Sequence, residues 1–304
     1  MTPDQLKLKN QRHGVISAIS AYFLWGIAPI YFKLLDSISA DEIMIHRVLW
    51  SCLLLFIIVV LSGKWRSLVI ALKQSPKLIL QLTVTALILG VNWFLFIWAV
   101  NNDHLLDASL GYYINPLFNV ALGMFFLSEK LSKWQLFAVF LAVVGVLIQV
   151  IIIGSVPIIS LALAGTFGIY GLLRKRMAVD TFIGLLIESA VMLPIAVTYW
   201  YFFAASSTSN LFDNPASLNI SLILAGVVTT APLLCFTAAA KRLTLSSLGF
   251  FQYLGPSIMF LLATFYYQEP LSTAKLITFA FIWVALVIYS IDSLNAHKKR
   301  KRLA

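Results

Sequence analysis

Apolar positions in this chain run in long unbroken stretches instead of alternating with polar ones. Ten stretches stand out, at about 14–34, 41–62, 78–100, 105–127, 132–152, 156–174, 181–203, 218–240, 247–267 and 273–291. A bilayer core about 30 Å thick needs roughly 20 apolar residues as helix. Barrel strands would show about ten residues of alternating polarity instead. The pattern therefore predicts an all-α integral membrane protein with ten transmembrane helices. The connections are short, and the longest, about 204–217, is rich in Ser and Asn.

One stretch occurs twice. SLGYYINPLFNVALGMFFLSEKLS (109–132) lies over SLGFFQYLGPSIMFLLATFYYQEPLS (247–272) at a shift of 140 residues. Tyr113 then meets Tyr253, Pro116 meets Pro256, Glu129 meets Glu269, and Ser132 meets Ser272. Apolar matches are cheap in such a chain, but a Pro and a Glu at one fixed spacing are not. The copies fall in the fourth and ninth runs. Five spans is an odd number, so the two halves are expected to cross the membrane in opposite senses. This predicts two inverted five-helix repeats, at 14–152 and 156–291. A polar segment, 1–13, would precede them and a basic tail, 292–304, would follow. Trp25-Gly26 against Tyr170-Gly171, and Arg47 against Glu188, echo the repeat weakly.

Composition and charge agree with the pattern. The chain is 61% hydrophobic and 11% charged, where about 25% charged is usual for a soluble domain. A net charge of +10 could suggest nucleic acid, but its placement argues against that. With the N-terminus placed inside and alternating spans, 19 of the 22 Lys and Arg fall on the inner side. Only Lys33 and Lys275 fall outside, and Arg47 lies within a run. That bias puts both termini in the cytoplasm. The N-terminal segment lacks the apolar core and cleavage site of a secretory signal. The first run is therefore expected to remain as a mature helix. Cys52 and Cys235 both sit in apolar runs, with no CxxC or metal-ligand spacing. No metal, cofactor or disulfide framework is implied, and no catalytic motif is present.

Inverted repeats favour transport. Exchanging the conformations of the halves turns an inward-open state outward, around a site near the midplane. Arg47 and Glu188 are the two charges well inside apolar runs, and intramembrane charges are functional candidates by default. Arg47 is expected to bind an anionic group or to gate. Glu188 or His46 could couple transport to protons. Arg47 and Glu188 would pair only if their spans cross closely. Asn92, Trp93, Tyr113, Asn115, Gln252 and Tyr253 are candidates to line the path. For each, helix packing is the competing explanation. Pro116 and Pro256 free backbone carbonyls and point to the same central site. Glu129 and Glu269 fall at helix ends on opposite faces and read as rim residues.

These features resemble the EamA family of the drug/metabolite transporter superfamily. The likeness covers all but the termini and includes the Pro and Glu spacing of spans four and nine. AYFLWGIAPIYFK (21–33), ADEI-x-x-HRV-x-WS (40–51), NWFLFIWAVNN (92–102), GVVTTAPLLCFTAAA (226–240) and LGFFQYLGP (248–256) match one bacterial branch of it closely. The resemblance implies a transporter of the bacterial inner membrane, whose span-two arginine corresponds to Arg47. It implies no particular substrate. The expectation is a secondary carrier, not an enzyme, that exports a small metabolite or amphipathic drug-like molecule. Expected partners are that small molecule, membrane lipid and a second copy of the chain as a homodimer, but no nucleic acid. A sensor or assembly protein that keeps the fold without flux is the other reading. A lipid-modifying enzyme is the weakest, for want of a catalytic cluster.

Overall fold

The structure, a computed structural model, describes residues 3–74, 76–127, 131–175, 177–203, 211–240, 242–243 and 251–303. Among these residues all regular structure is helical. The helices are α1 (Pro3–Lys33), α2 (Ala40–Leu61), α3 (Trp65–Gln74), α4 (Pro76–Asn101), α5 (Leu105–Leu127) and α6 (Lys133–Ile153). There follow α7 (Ile158–Lys175), α8 (Thr181–Phe203), α9 (Ala216–Ala240), α10 (Leu254–Leu261) and α11 (Thr273–Leu303). A π-helical turn, Leu262–Tyr266, continues α10. Among the described residues seven helices are long and apolar enough to cross a membrane: α1, α2, α4, α6, α8, α9 and α11. The chain is thus a multi-pass membrane protein. α7 and α10 are shorter apolar helices.

The boundaries depart from the apolar runs in four places. In the ninth run, expected at 247–267, a turn at Gln252-Tyr253 precedes α10, so its described part is not one continuous helix. α1 starts at Pro3 and α11 runs to Leu303, so both polar ends continue as helix. Hydropathy marks where a helix meets lipid, and helical hydrogen bonding does not stop there. α3 was not expected at all. It has only 10 residues, with Leu68 and Ala71 buried and Trp65, Ile70 and Leu72 exposed beside basic Arg66 and Lys73. A short amphipathic helix of this kind suits the membrane interface and has too few apolar residues to register as a span.

The main packing pairs are α6 with α11, α5 with α7, α1 with α9, α2 with α9 and α2 with α8. α4 packs on α7 and α8, and α10 packs on α1 and α5. Small residues permit the close crossings. A Cβ on Gly226 of α9 would lie 2.6–2.7 Å from backbone and Cβ atoms of Trp50 on α2. One on Gly111 of α5 would lie 2.7 Å from the Ser160 carbonyl on α7.

Polar contacts collect at the two ends of the bundle. At one end Lys33 pairs with Asp103, and Asp107 meets both Lys275 (3.0 Å) and His104 (3.0 Å). Glu269, 6% exposed, reaches the start of α5 there. It accepts hydrogen bonds from the backbone N–H of Leu105 (2.7 Å) and Leu106 (2.8 Å). A carboxylate on the unsatisfied N–H groups of a helix start is a capping arrangement, here supplied from the connection between the π-helical turn and α11. At the other end Lys64 pairs with Asp180 at 2.7 Å, and Ser132 donates to Asp292 at 2.8 Å. Burial pushes the Asp180 carboxyl up, but Lys64 and the Phe182 N–H outweigh it and hold it below the usual carboxylate range.

Candidate functional site

A cavity of about 550 Å³ lies within the helices, walled by α1, α2, α4, α5, α7, α8, α9 and α10. At one extreme it meets Phe32 and Phe96, both nearly fully buried. At the other it reaches Val179 and Thr181 in the connection from α7 to α8. Aromatic rings form much of its wall. Tyr22, Trp25 and Phe236 cluster with centroids 5.5–6.2 Å apart. Tyr112, Phe167 and Tyr170 form a second group at 6.1–6.3 Å.

Arg47 projects from the second turn of α2 and is 8% exposed. Its guanidinium lies 4.2 Å from the centroid of Trp93 and 5.7 Å from that of Phe32. Its Nε and Nη1 are buried without a hydrogen-bond partner among the described residues. Ring faces attract a cation by about 2 kcal/mol when desolvated. That is less than the several kcal/mol needed to take an ion out of water.

Glu188 and Arg47 do not pair. Glu188 sits on α8, 2% exposed, and its Oε1 accepts from the Thr85 hydroxyl at 2.6 Å. Tyr170 donates to its Oε2 at 3.3 Å, and the Arg174 Nε lies 3.7 Å from Oε1. The physical reason is local connection. α7 and α8 are consecutive, and Arg174 at the end of α7 turns back to the carboxylate in the second turn of α8. Arg47 instead faces α4. Arg174 was missed by sequence reasoning because it belongs to a basic triplet, Arg174-Lys175-Arg176, that reads as a topology signal. A usable hint was the brevity of α7: at 18 residues it is too short to carry Arg174 well clear of the apolar layer.

Four further sequence candidates line the cavity: Asn92, Trp93, Asn115 and Gln252. Asn92 also ties α4 to α7, donating to the Leu163 carbonyl (3.0 Å) and the Thr166 hydroxyl (2.8 Å). Asn115 is 1% exposed, and both polar atoms of its amide are unpartnered. Three candidates lie elsewhere. Tyr113 donates to Ser257 at 2.6 Å and packs edge-on against Phe279 and Trp283. Ser257 in turn donates to the Tyr253 carbonyl, so both tyrosines belong to the α5–α10 seam. His46 accepts from the Trp50 indole at 3.3 Å and lies edge-on to Trp200. It faces away because it neighbours Arg47 in sequence, about 100° round the helix. Pro256 lines the cavity, whereas Pro116 does not and its neighbour Asn115 does. Glu129 lies outside the described residues. Tyr112, Asn119 and Thr229 also contribute to the wall. Among the described residues no group of three or more His, Cys, Asp or Glu could hold a metal ion.

The model of the EamA-like transporter family matches residues 12–151. A protein of Vibrio cholerae named as an uncharacterized transporter is 55% identical over 302 residues, 99% of either chain. The chain belongs to the EamA-like transporter family. Within it, the RarD protein of Escherichia coli is 52% identical over 97% of this chain and 99% of its own. The chloramphenicol-sensitive protein RarD of Pseudomonas aeruginosa is 30% identical over 95% and 97%. A solved crystal structure superposes with a TM-score of 0.61, covering 93% of this chain and 99% of its own at 17% identity. That likeness shows a shared fold.

Proposed function

We propose that this family member is a secondary carrier that moves a small metabolite or an amphipathic drug-like molecule by alternating access, with export the expected direction. It would act in the bacterial inner membrane with both termini in the cytoplasm. The observation that carries this reading is the cavity. Its wall draws on both expected repeats, carries two aromatic clusters, and contains a buried Arg47 with two nitrogens unpartnered among the described residues. A sensor or assembly protein would need no such interior.

The ten-span, inverted 5+5 arrangement has support from helix packing. Interchange the halves, so that α1, α2, α4, α5 and α6 exchange with α7, α8, α9, α10 and α11. The α5–α7 pair then becomes α10–α1, α1–α9 becomes α7–α4, and α2–α9 becomes α8–α4. Each of these pairs is present. The family match also ends at residue 151, where the first repeat is expected to end. On the expected topology the Lys275 end is outer and the Lys64 end inner, so the cavity reaches the cytoplasmic rim.

In this reading Arg47, Asn92, Trp93, Asn115 and Gln252 contact the substrate. Tyr113 and Tyr253 hold the seam that must slide between states. Glu188 is the better coupling candidate of the two. Protonating it would weaken its hold on Arg174, which itself lines the cavity, whereas His46 is remote from it. Counterflow in proteoliposomes tests the carrier reading. Arg47→Ala should abolish flux while the protein purifies as a monodisperse species. Flux equal to wild type would remove Arg47 from the site.

A further inference from the structure

The lining of the cavity has a definite charge balance. Among the described residues it carries two guanidiniums, Arg47 and Arg174, and no carboxylate. Arg174 is balanced by the buried Glu188 just behind the wall. Among the described residues no carboxylate balances Arg47. It is more than nine-tenths buried, with two nitrogens unpartnered and only ring faces for company. Asn115, on α5, also lines the cavity, and both polar atoms of its amide are unpartnered among the described residues. A buried donor left unpaired is costly, and more so when charged. These groups define a recognition site whose complement is absent from the described residues.

Resting on the carrier reading above, we propose that the transported class is planar or aromatic monocarboxylates that bear no ammonium group. A carboxylate matches the guanidinium fork of Arg47 with two charge-assisted bonds, and the Asn115 amide can donate to it as well. One net positive charge selects one negative charge. A dianion would require Arg174 to be taken from Glu188. A zwitterion such as an amino acid would bury an ammonium where the described wall offers no carboxylate to receive it. The aromatic walls then take the body of the molecule by stacking and edge contacts. A volume of about 550 Å³ lies within the roughly 300–1,000 Å³ usual for small-molecule sites.

The test uses four probes that share a benzyl group and differ in charge, on the purified full chain: phenylacetate, phenylacetamide, phenethylamine and phenylalanine. Binding is read by thermal shift and titration calorimetry, and flux by counterflow. Phenylacetate should bind at least tenfold more tightly than each of the other three. Arg47→Gln should erase that preference while leaving the unliganded melting temperature equal or higher, because it removes an uncompensated buried charge. Asn115→Asp, which sets a carboxylate in the same cavity, should abolish phenylacetate binding independently. Equal binding of the acid and the amide, or tighter binding of phenylalanine, overturns the proposal. Acid binding that depends on Arg47 without counterflow supports the site and sinks the carrier reading. Counterflow of a neutral or cationic compound, unaffected by Arg47→Gln, sinks the site and leaves the carrier reading standing.

Discussion

Removing the Glu269 carboxylate should cost this protein a measurable part of its stability, although the residue lies outside the cavity. Its two oxygens accept the backbone N–H groups of Leu105 and Leu106 at 2.7 and 2.8 Å. All three residues are buried, at 6%, 0% and 1% exposure, so water cannot replace the carboxylate once it is gone. Hydrogen bonds to charged groups are worth about 1.5–3 kcal/mol each, so the pair contributes about 3–6 kcal/mol gross. Favourable interaction with the start of α5 adds up to about 1 kcal/mol. Glu269→Ala also relieves the carboxylate's own desolvation, which offsets several kcal/mol. The net loss is then ~2–3 kcal/mol. In a chain of this size each kcal/mol corresponds to about 2 °C, giving a fall of about 4–6 °C. Glu269→Gln keeps one neutral acceptor and should fall by about half as much. Melting of the detergent-purified protein, followed by tryptophan fluorescence, separates the three proteins. Glu269→Ala melting within 1 °C of wild type would refute the capping account, as would Glu269→Gln melting below it.

Thr85→Val removes a 2.6 Å bond to buried Glu188 with little change of volume. It should cost about 1.5–3 kcal/mol, seen as a lower melting temperature, and an unchanged value would mean that Thr85 does not hold the carboxylate. Ser62 and Phe212, both exposed, flank α2 and α9 on opposite expected sides. In a background lacking Cys52 and Cys235, Phe212→Cys should label from the periplasm and Ser62→Cys only after the membrane is permeabilised. Labelling of both from one side would overturn the ten-span topology.

Hydropathy made most of the architecture legible, because lipid imposes one strong rule: long apolar runs become helices. The rule fails where helix and apolarity part company, as in α3 and in the polar extensions of α1 and α11. The candidate site was legible in part. Arg47, Asn92, Trp93, Asn115 and Gln252 are polar or amphipathic groups in runs where such groups are rare, and they reach the cavity. Tyr113 and His46 are just as unusual, yet each adjoins a cavity residue in sequence. Adjacent helical positions point about 100° apart, so the face each takes depends on how its helix is rotated against its neighbours. Packing fixes that rotation, and one sequence does not reveal it. Arg174 was hidden for the opposite reason. Three basic residues at a helix end look alike, and only the carboxylate waiting on α8 distinguishes the one that turns inward.

Arg47 and Glu188 now bear on how the halves of such a carrier can exchange roles. Each stands seven residues from the start of its helix, α2 and α8, and the proposed repeat relates those helices. The backbone relation carries opposite charges, and their surroundings differ as well. Glu188 is held by Thr85, Tyr170 and Arg174, whereas the guanidinium of Arg47 meets the ring faces of Trp93 and Phe32 and has two nitrogens unpartnered among the described residues. Exchanging the conformations of the halves therefore exchanges packing but not chemistry. A substrate bound at Arg47 would keep that partner in both states. In the proposed carrier the wall around it would change: the α5–α10 seam with Tyr113 and Ser257, and the Glu269 cap that reaches from the connection after the π-helical turn to the start of α5. Weakening the cap should then favour opening at the Lys275 end, so Glu269→Ala should raise modification of a cysteine placed at Phe96, near the closed extreme of the cavity. No change in that rate, in a protein that still melts early, would assign the cap to stability alone.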